Sequence, residues 1–283
     1  MKIAIATDTN SGITAMEGEK LGVFVLAMPV NLEETIHYEG IDITSEQLYD
    51  AMRQHRDVST SQPSPGQLME LWDGILAKGY DEIVYIPMSS GLSGSCQSAA
   101  LFAQDYDGRV QVVDNHRISV TQKESVISAL RLVEQGYDAG QIRDFLEKHA
   151  YDASIYITVD SMEYLKKGGR ISKTVAFAGG MLNIKPVVTI QDGAVVMIGK
   201  ARGSRNGNNL LVEKINQAGG VDFDRPVLLG YTGLSSALME KYVEDSKALW
   251  EGHVDQLDSC LLCSVIGTHA GPGAVAVAFF KKG

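Results

Sequence analysis

Ile83-Val84-Tyr85-Ile86-Pro87-Met88-Ser89-Ser90-Gly91-Leu92-Ser93-Gly94-Ser95 is the stretch whose reading decides the fold. Its four leading apolar residues have the length and β-branched content of a buried strand. Gln97 to Gln104 beyond it reads as a helix. Ser89 to Ser95 is then a strand-to-helix turn rich in hydroxyls and glycine. Such a turn lets backbone N–H groups approach a ligand, and the first helical turn adds unpaired N–H groups and a partial positive charge. Together they suit an anion; a solvated turn with serine as a simple cap is the plainer alternative.

Working outward, the same punctuation recurs. Lys2 to Thr7 reads as a strand ending in the polar turn Thr7-Asp8-Thr9-Asn10-Ser11-Gly12, and a second apolar run covers Val23 to Val30. Thr44 with Gln47 has capping-box spacing and opens a helix to about His55. Ser64 with Gln67 repeats that spacing, and Pro65 sits at the first helical position, where its missing N–H costs nothing. Leu68, Leu71, Trp72, Ile75 and Leu76 form the stripe of a helix lying on a sheet. Thr60, Ser61 and Gln62 are thereby held in a stiff, donor-rich loop. Arg109 to Asp114 reads as a further strand, followed by helices over Thr121 to Gln135 and Ala139 to His149. Strands and helices in alternation imply a largely parallel sheet, whose ligands bind beyond the carboxyl ends of the strands.

The pattern changes after about Tyr151. Ser154 to Val159 reads as a strand, Met162 to Lys167 as a short helix, and Gly168-Gly169-Arg170-Ile171 as a turn carrying a cation. Ile184 to Ile190 and Ala194 to Lys200 flank Asp192-Gly193, a hairpin signal. A helix near Asn208 to Gln217, a strand over Val227 to Tyr231, a helix from Ser236 to Trp250 and closing strands over Leu261 to Ile266 and Ala274 to Phe280 follow. The expected architecture is α/β in two domains. Residues 1–152 form a three-layer α/β/α domain with a mainly parallel sheet, and residues 153–283 form an α/β domain with a mixed sheet.

The composition of the 283 residues, 45% hydrophobic and 21% charged, is that of a globular protein, and a net charge of −10 argues against nucleic acid as partner. No signal-peptide pattern or membrane-spanning run is read, so a cytoplasmic protein is expected. Against the acidic background, Lys166 to Arg205 holds eight cations and one acid. That contrast suits a surface meeting a small anion or an acidic partner. The three cysteines, Cys96, Cys260 and Cys263, do not suggest a disulfide framework, and Cys260 and Cys263 lack the further ligands zinc needs.

Familiar catalytic motifs fit poorly. The turn lacks the P-loop lysine, and Gly91-Leu92-Ser93-Gly94-Ser95 misses G-x-S-x-G by one glycine. A lipid-ester or acyl hydrolase using Ser93 and His269 remains an alternative, with Asp114 or Asp160 as the acid.

Five motifs occur in order: Thr60-Ser61-Gln62-Pro63-Ser64; Ser89 to Ser95 with Gln97-Ser98-Ala99; Lys167-Gly168-Gly169-Arg170-Ile171; Ile184-Lys185-Pro186; and Gly267-Thr268-His269-Ala270-Gly271-Pro272-Gly273-Ala274. Together they resemble the DegV family over essentially the whole chain. The resemblance implies a two-domain protein that binds one fatty acid between its domains, and the acyl-carrying subunit of a bacterial fatty acid kinase. A separate kinase subunit would then phosphorylate the carboxylate with ATP. It assigns the carboxylate to Thr60, Ser61, Ser93, the Gly94 N–H and His269. Arg170 and Arg202 match arginines expected to matter for phosphoryl transfer, with Arg205 an alternative to Arg202. No cofactor or metal, no catalysis by the chain itself and at most transient membrane contact are implied. Binding of another amphipathic carboxylate is a third reading.

The chemistry is consistent with that resemblance. Hydroxyls and helix-start amides surround a carboxylate without burying further charge. An acyl tail adds about 0.8 kcal/mol per buried methylene, roughly 10 kcal/mol over ~12 methylenes before ordering costs.

Overall fold

In the computed structural model, residues 1–171, 183–250, 252–253 and 257–282 are described. They form two compact units, Met1–Thr44 with Thr60–Tyr151, and Ser45–Ser59 with Asp152–Gly283.

The first unit is built on four parallel strands in the order β2-β1-β6-β7: β1 (Ile3–Asp8), β2 (Val23–Leu26), β6 (Glu82–Ile86) and β7 (Val110–Val112). Between β1 and β2 lie a 3₁₀ turn over Thr9–Ser11 and α1 (Ala15–Leu21). The hairpin β3 (Pro29–Leu32) and β4 (Thr35–Tyr38) follows, then α2 (Ser45–Arg53) of the other unit, and β5 (Val58–Thr60), where the chain passes back. The period-2 geometry of the strands explains the three layers. Ala4, Ala6, Ile83 and Tyr85 face Leu68, Trp72 and Ile75 of α3 (Pro65–Ala77) and Ala99 of α4 (Ser95–Phe102). Ile5, Val84 and Ile86 face Val126 and Ala129 of α5 (Val120–Glu134) and Ile142 and Leu146 of α6 (Ala139–Lys148). The chain leaves β1 to one side for β2 and returns on the other at β6. The sheet therefore has its topological switch point at the carboxyl ends of β1 and β6, where such sheets bind ligands.

The second unit carries a six-stranded mixed sheet, β10-β9-β8-β13-β11-β12, antiparallel except for the pair β11 and β12. Its elements are β8 (Ala153–Thr158), α7 (Glu163–Lys167), β9 (Ile184–Gln191), β10 (Ala194–Arg202), α8 (Ser204–Gln217), β11 (Val227–Tyr231), α9 (Ala237–Asp245), α10 (Lys247–Trp250), β12 (Leu257–Leu261), α11 (Ser264–Ala270) and β13 (Val275–Phe280). Asp192 and Gly193 both have positive φ, 49° and 76°, the type I′ geometry that matches strand twist in a hairpin. Val187, Leu211, Ile215, Leu229, Tyr242, Trp250 and Val277 share one buried cluster.

Four expectations need correction. The run Val23 to Val30 is two strands in different sheets, β2 and β3, because the chain breaks at Ala27-Met28 ahead of Pro29. Leu261 to Ile266 is not a strand: β12 ends at Leu261 and α11 begins at Ser264. Short apolar runs fit a buried strand or a buried helix equally well by periodicity, and here the chain changes from one to the other. Ser236 to Trp250 is broken at Ser246, whose hydroxyl donates to the Tyr242 carbonyl at 2.5 Å and accepts from Trp250 Nε1 at 2.7 Å. Finally, Ser45–Ser59, placed by sequence in residues 1–152, packs with the second unit. Its helix α2 buries Leu48, Tyr49, Ala51 and Met52, and lies against α11.

Candidate functional site

In the first unit three polar turns meet at the carboxyl edge of the parallel sheet. Met88 N–H donates to Asp8 Oδ2 at 2.9 Å, Ser89 N–H to the Arg117 carbonyl at 2.9 Å, Ser90 N–H to Asp114 Oδ1 at 3.2 Å, and Ser119 N–H to the Asn10 carbonyl at 2.9 Å. Asp8 is fully buried and also accepts from Asn10 N–H and Gln122 Nε2. Burial pushes its carboxyl above the usual range, against the opposing effect of those donors. The Gln122 amide also donates to Thr7 Oγ1 and the Ile86 carbonyl, so one side chain ties α5 to the ends of β1 and β6. Arg117, also buried, reaches the carbonyls of Ala150 and His149 and the Ser125 hydroxyl. These bonds fix the frame on which the Ser89–Ser95 turn sits.

Within that turn, Ser89 N–H and Oγ are both engaged, the hydroxyl accepting from Gly91 N–H at 3.2 Å. Ser93 is half-buried and its hydroxyl accepts from Ser95 N–H at 3.1 Å. That bond leaves its proton available for an anion. Gly94 is the exposed N-cap of α4, with no side-chain cap on the helix start. Thr60 is half-buried at the end of β5, and Ser61 and Gln62 are exposed beyond it. Pro63 and the Ser64–Gln67 capping box anchor this loop, with Gln67 Nε2 donating to Tyr38 Oη at 2.7 Å. The Gln62 side chain joins loop and turn: its Oε1 accepts from Ser98 Oγ at 3.5 Å and would lie 3.1 Å from a Cβ placed at Gly94. Gln62 lay outside the expected site residues, though inside the stiff loop named with them.

This edge presents hydrogen-bond donors. Ser93 is not among the non-glycine residues with positive φ, so it lacks the strained backbone of a nucleophile elbow. Burial, followed by the charge of Asp114, pushes the Cys96 thiol up to about 12, which leaves it inert.

In the second unit His269 stands in the last turn of α11 with its ring over Gly168. Arg170 Nη1 donates to the Gly168 carbonyl at 2.5 Å. Burial, reinforced by the Arg170 charge, lowers His269 to about 4, so the imidazole is neutral at physiological pH. The structure thus brings His269, Gly168 and Arg170 together. Arg202 lies exposed at the end of β10, immediately before Gly203 and α8. Arg205 is in the first turn of α8; against burial, Asp245 is lowered by hydrogen bonds from Asn208 and Lys241, by the Lys241 charge and last by the Arg205 charge. The cation excess seen in sequence is partly matched by acids from elsewhere: Lys167 pairs with Asp57 at 2.8 Å, and Lys185 with Asp160. Lys173 lies outside the described residues.

Cys260 is the penultimate residue of β12 and Cys263 is the N-cap of α11, so extended chain separates their Cα atoms by about 10 Å. That exceeds disulfide reach. Among the described residues no cluster of three or more His, Cys, Asp or Glu could hold a metal ion, and no helix is long and apolar enough to cross a membrane.

The family model described as "Uncharacterised protein, DegV family" matches residues 2–282. The chain belongs to the DegV family. A DegV domain-containing protein of Deinococcus radiodurans is 33% identical over 283 residues, 98% of each chain. Two solved DegV structures are similar over 100% of both chains, each with a TM-score of 0.86. One, from Thermus thermophilus, is 29% identical and is described by its fatty acid binding. The other, from Streptococcus agalactiae, is a fatty-acid-binding DegV protein 26% identical to this chain. The DegV fold of these structures accounts for the parallel-sheet unit and the mixed-sheet unit alike.

Proposed function

We propose that this DegV protein binds one long-chain fatty acid and presents its carboxylate for ATP-dependent phosphorylation by a partner kinase subunit. The observation that carries the reading is the whole-chain likeness to fatty-acid-binding DegV structures at a TM-score of 0.86. The uncharged donors at the sheet edge support it. The Thr60, Ser61 and Ser93 hydroxyls and the Gly94 N–H are donors of the kind that hold a carboxylate, and neutral His269 is assigned as a further partner. Arg170 and Arg202 are assigned to phosphoryl transfer, which needs cations to offset phosphate charge. The chain itself supplies binding and presentation, and the kinase supplies the chemistry. We place it in the cytoplasm, touching membrane only transiently to load its ligand.

The test is extraction of the purified protein followed by mass spectrometry. One fatty acid per chain is expected, or uptake of one oleate per chain by stripped protein. Finding neither overturns the reading of binding. Presentation is tested by adding a fatty acid kinase subunit with ATP and measuring acyl phosphate. Product should require loaded protein and fall at least tenfold in Arg170→Ala or Arg202→Ala variants that still bind oleate. Equal turnover without the DegV protein rejects the kinase role alone.

A further inference from the structure

The helix that carries His269 is held by rings seated on glycines. A Cβ at Gly168, the C-cap of α7, would run into the His269 imidazole. In return, a Cβ at Gly271, just past α11, would run into the ring of Tyr164 in α7. On a third contact, a Cβ at Gly267 inside α11 would meet the Tyr49 hydroxyl and lie 3.0 Å from Tyr49 Cζ. Tyr49 is 2% exposed, on the buried face of α2.

These contacts bear on a helix with little intrinsic stability. α11 has seven residues, too few to persist alone. Gly267 in its interior costs about 1 kcal/mol relative to alanine. Its placement must come from packing, and at both of its glycine positions a Cβ would meet a tyrosine ring, Tyr49 at Gly267 and Tyr164 at Gly271. Gly267 and Gly271 flank His269 at two residues on either side, so a shift at either notch is passed to the imidazole through less than one helical turn.

We infer that Tyr49 and Tyr164 are positioning residues for His269: they seat α11 through Gly267 and Gly271 and so hold the imidazole against Gly168, beside Arg170. Neither ring is assigned contact with the ligand. The inference rests on the role given to His269 above.

The test is a rescue series read by NMR titration of histidine-labelled, ligand-free protein, with oleate binding measured in parallel. Gly267→Ala pushes α11 off the Tyr49 hydroxyl. The His269 titration should move up from about 4 toward its ordinary 6.5, and oleate affinity should fall about tenfold. Gly267→Ala with Tyr49→Phe removes the obstructing oxygen and should return both readouts most of the way to wild type. A merely structural role would lower melting temperature without moving the titration. If Gly267→Ala fails to fold, recovery of a folded double variant with His269 titrating near 4 supports the inference. A double variant that stays unfolded overturns it, as does a folded Gly267→Ala protein with an unmoved titration. The two readouts fail separately: a shifted titration in a protein that never binds oleate rejects the functional reading and keeps the positioning role.

Discussion

The Ser89–Ser95 turn of the first unit and the Gly168–Arg170 turn of the second are built in opposite ways. The first sits on the edge of a parallel sheet and draws on neutral donors, while the nearby carboxylates are already engaged, Asp114 by Ser90 N–H and Asp8 by three hydrogen-bond donors. The second follows the short helix α7, with Ile171 just beyond it bridged to Val195 of β10; an imidazole, a guanidinium and a backbone carbonyl are gathered there by helix packing. A hydrogen-bonded edge tolerates side-chain truncation, because the frame is made by backbone and by residues outside the turn. A packed notch does not, because the position of the His269 ring is the sum of its contacts.

The contrast can be broken experimentally, and the largest effect should come from the first turn. Thr60→Ala with Ser93→Ala removes the two hydroxyls proposed to hold the carboxylate, and hydrogen bonds to a charged group contribute about 1.5–3 kcal/mol each, so oleate affinity should fall by about 100-fold or more while the fold persists. Isothermal titration calorimetry reads it, and a loss below about fivefold would place the carboxylate elsewhere.

Next in size is a pH effect of opposite sign in the two units. His269 has its pKa lowered in the folded protein, chiefly by burial. The unfolded chain therefore binds a proton first, and stability present above pH 6.5 is lost as pH falls toward 4, by about 3 kcal/mol. Asp8 is raised by burial, so its contribution runs the other way, stability declining as pH rises through its folded pKa. Trp72 reports the first unit and Trp250 the second, both fully buried. Denaturant titrations of single-tryptophan variants should show the acid loss in the Trp250 signal, flattened by His269→Gln, and the opposite slope in the Trp72 signal, removed by Asp8→Asn.

Smaller still is Ser64→Ala, which deletes one side of the capping box and should cost about 1 kcal/mol, seen by Trp72. Smallest is Asp57→Asn. Its partner Lys167 and the carboxylate are both largely exposed, so the change should stay within about 0.5 kcal/mol. A larger loss at Asp57 would mean that α2 is held by charge rather than by its buried face.

The same contrast explains what could be read from sequence. The first unit follows local rules: an apolar strand, a hydroxyl turn, a serine cap three residues before glutamine, a proline at the first helical position. Each signal lies within a few residues of its consequence, and the α/β/α layering follows from alternation along β1 and β6. The second unit's helix α11 is not legible in the sequence, because Leu261 to Ile266 is apolar without period and because α11 packs on α2 and α7, whose Tyr49 and Tyr164 are far away along the chain. His269, Arg170 and Arg202 were reached through the family's motifs alone; nothing in their local pattern marks them. Gln62 and Asp8 were visible as members of polar segments, but their roles depend on Gly94 and Met88, which only the folded chain brings near.

The fifteen residues Ser45–Ser59 give the chain an assembly problem. Translation delivers α2 well before the rest of its unit, so Tyr49 waits for Gly267 across more than two hundred residues of chain. Contacts of such long sequence separation form late and slowly. Until they form, the face with Leu48, Tyr49 and Met52 is uncovered, a surface for chaperones or for self-association. A fragment beginning at residue 152 would emerge without that helix and so could not complete its own core. Each unit is compact, yet neither is a separate genetic module, and neither can be cut out by a single break in the chain.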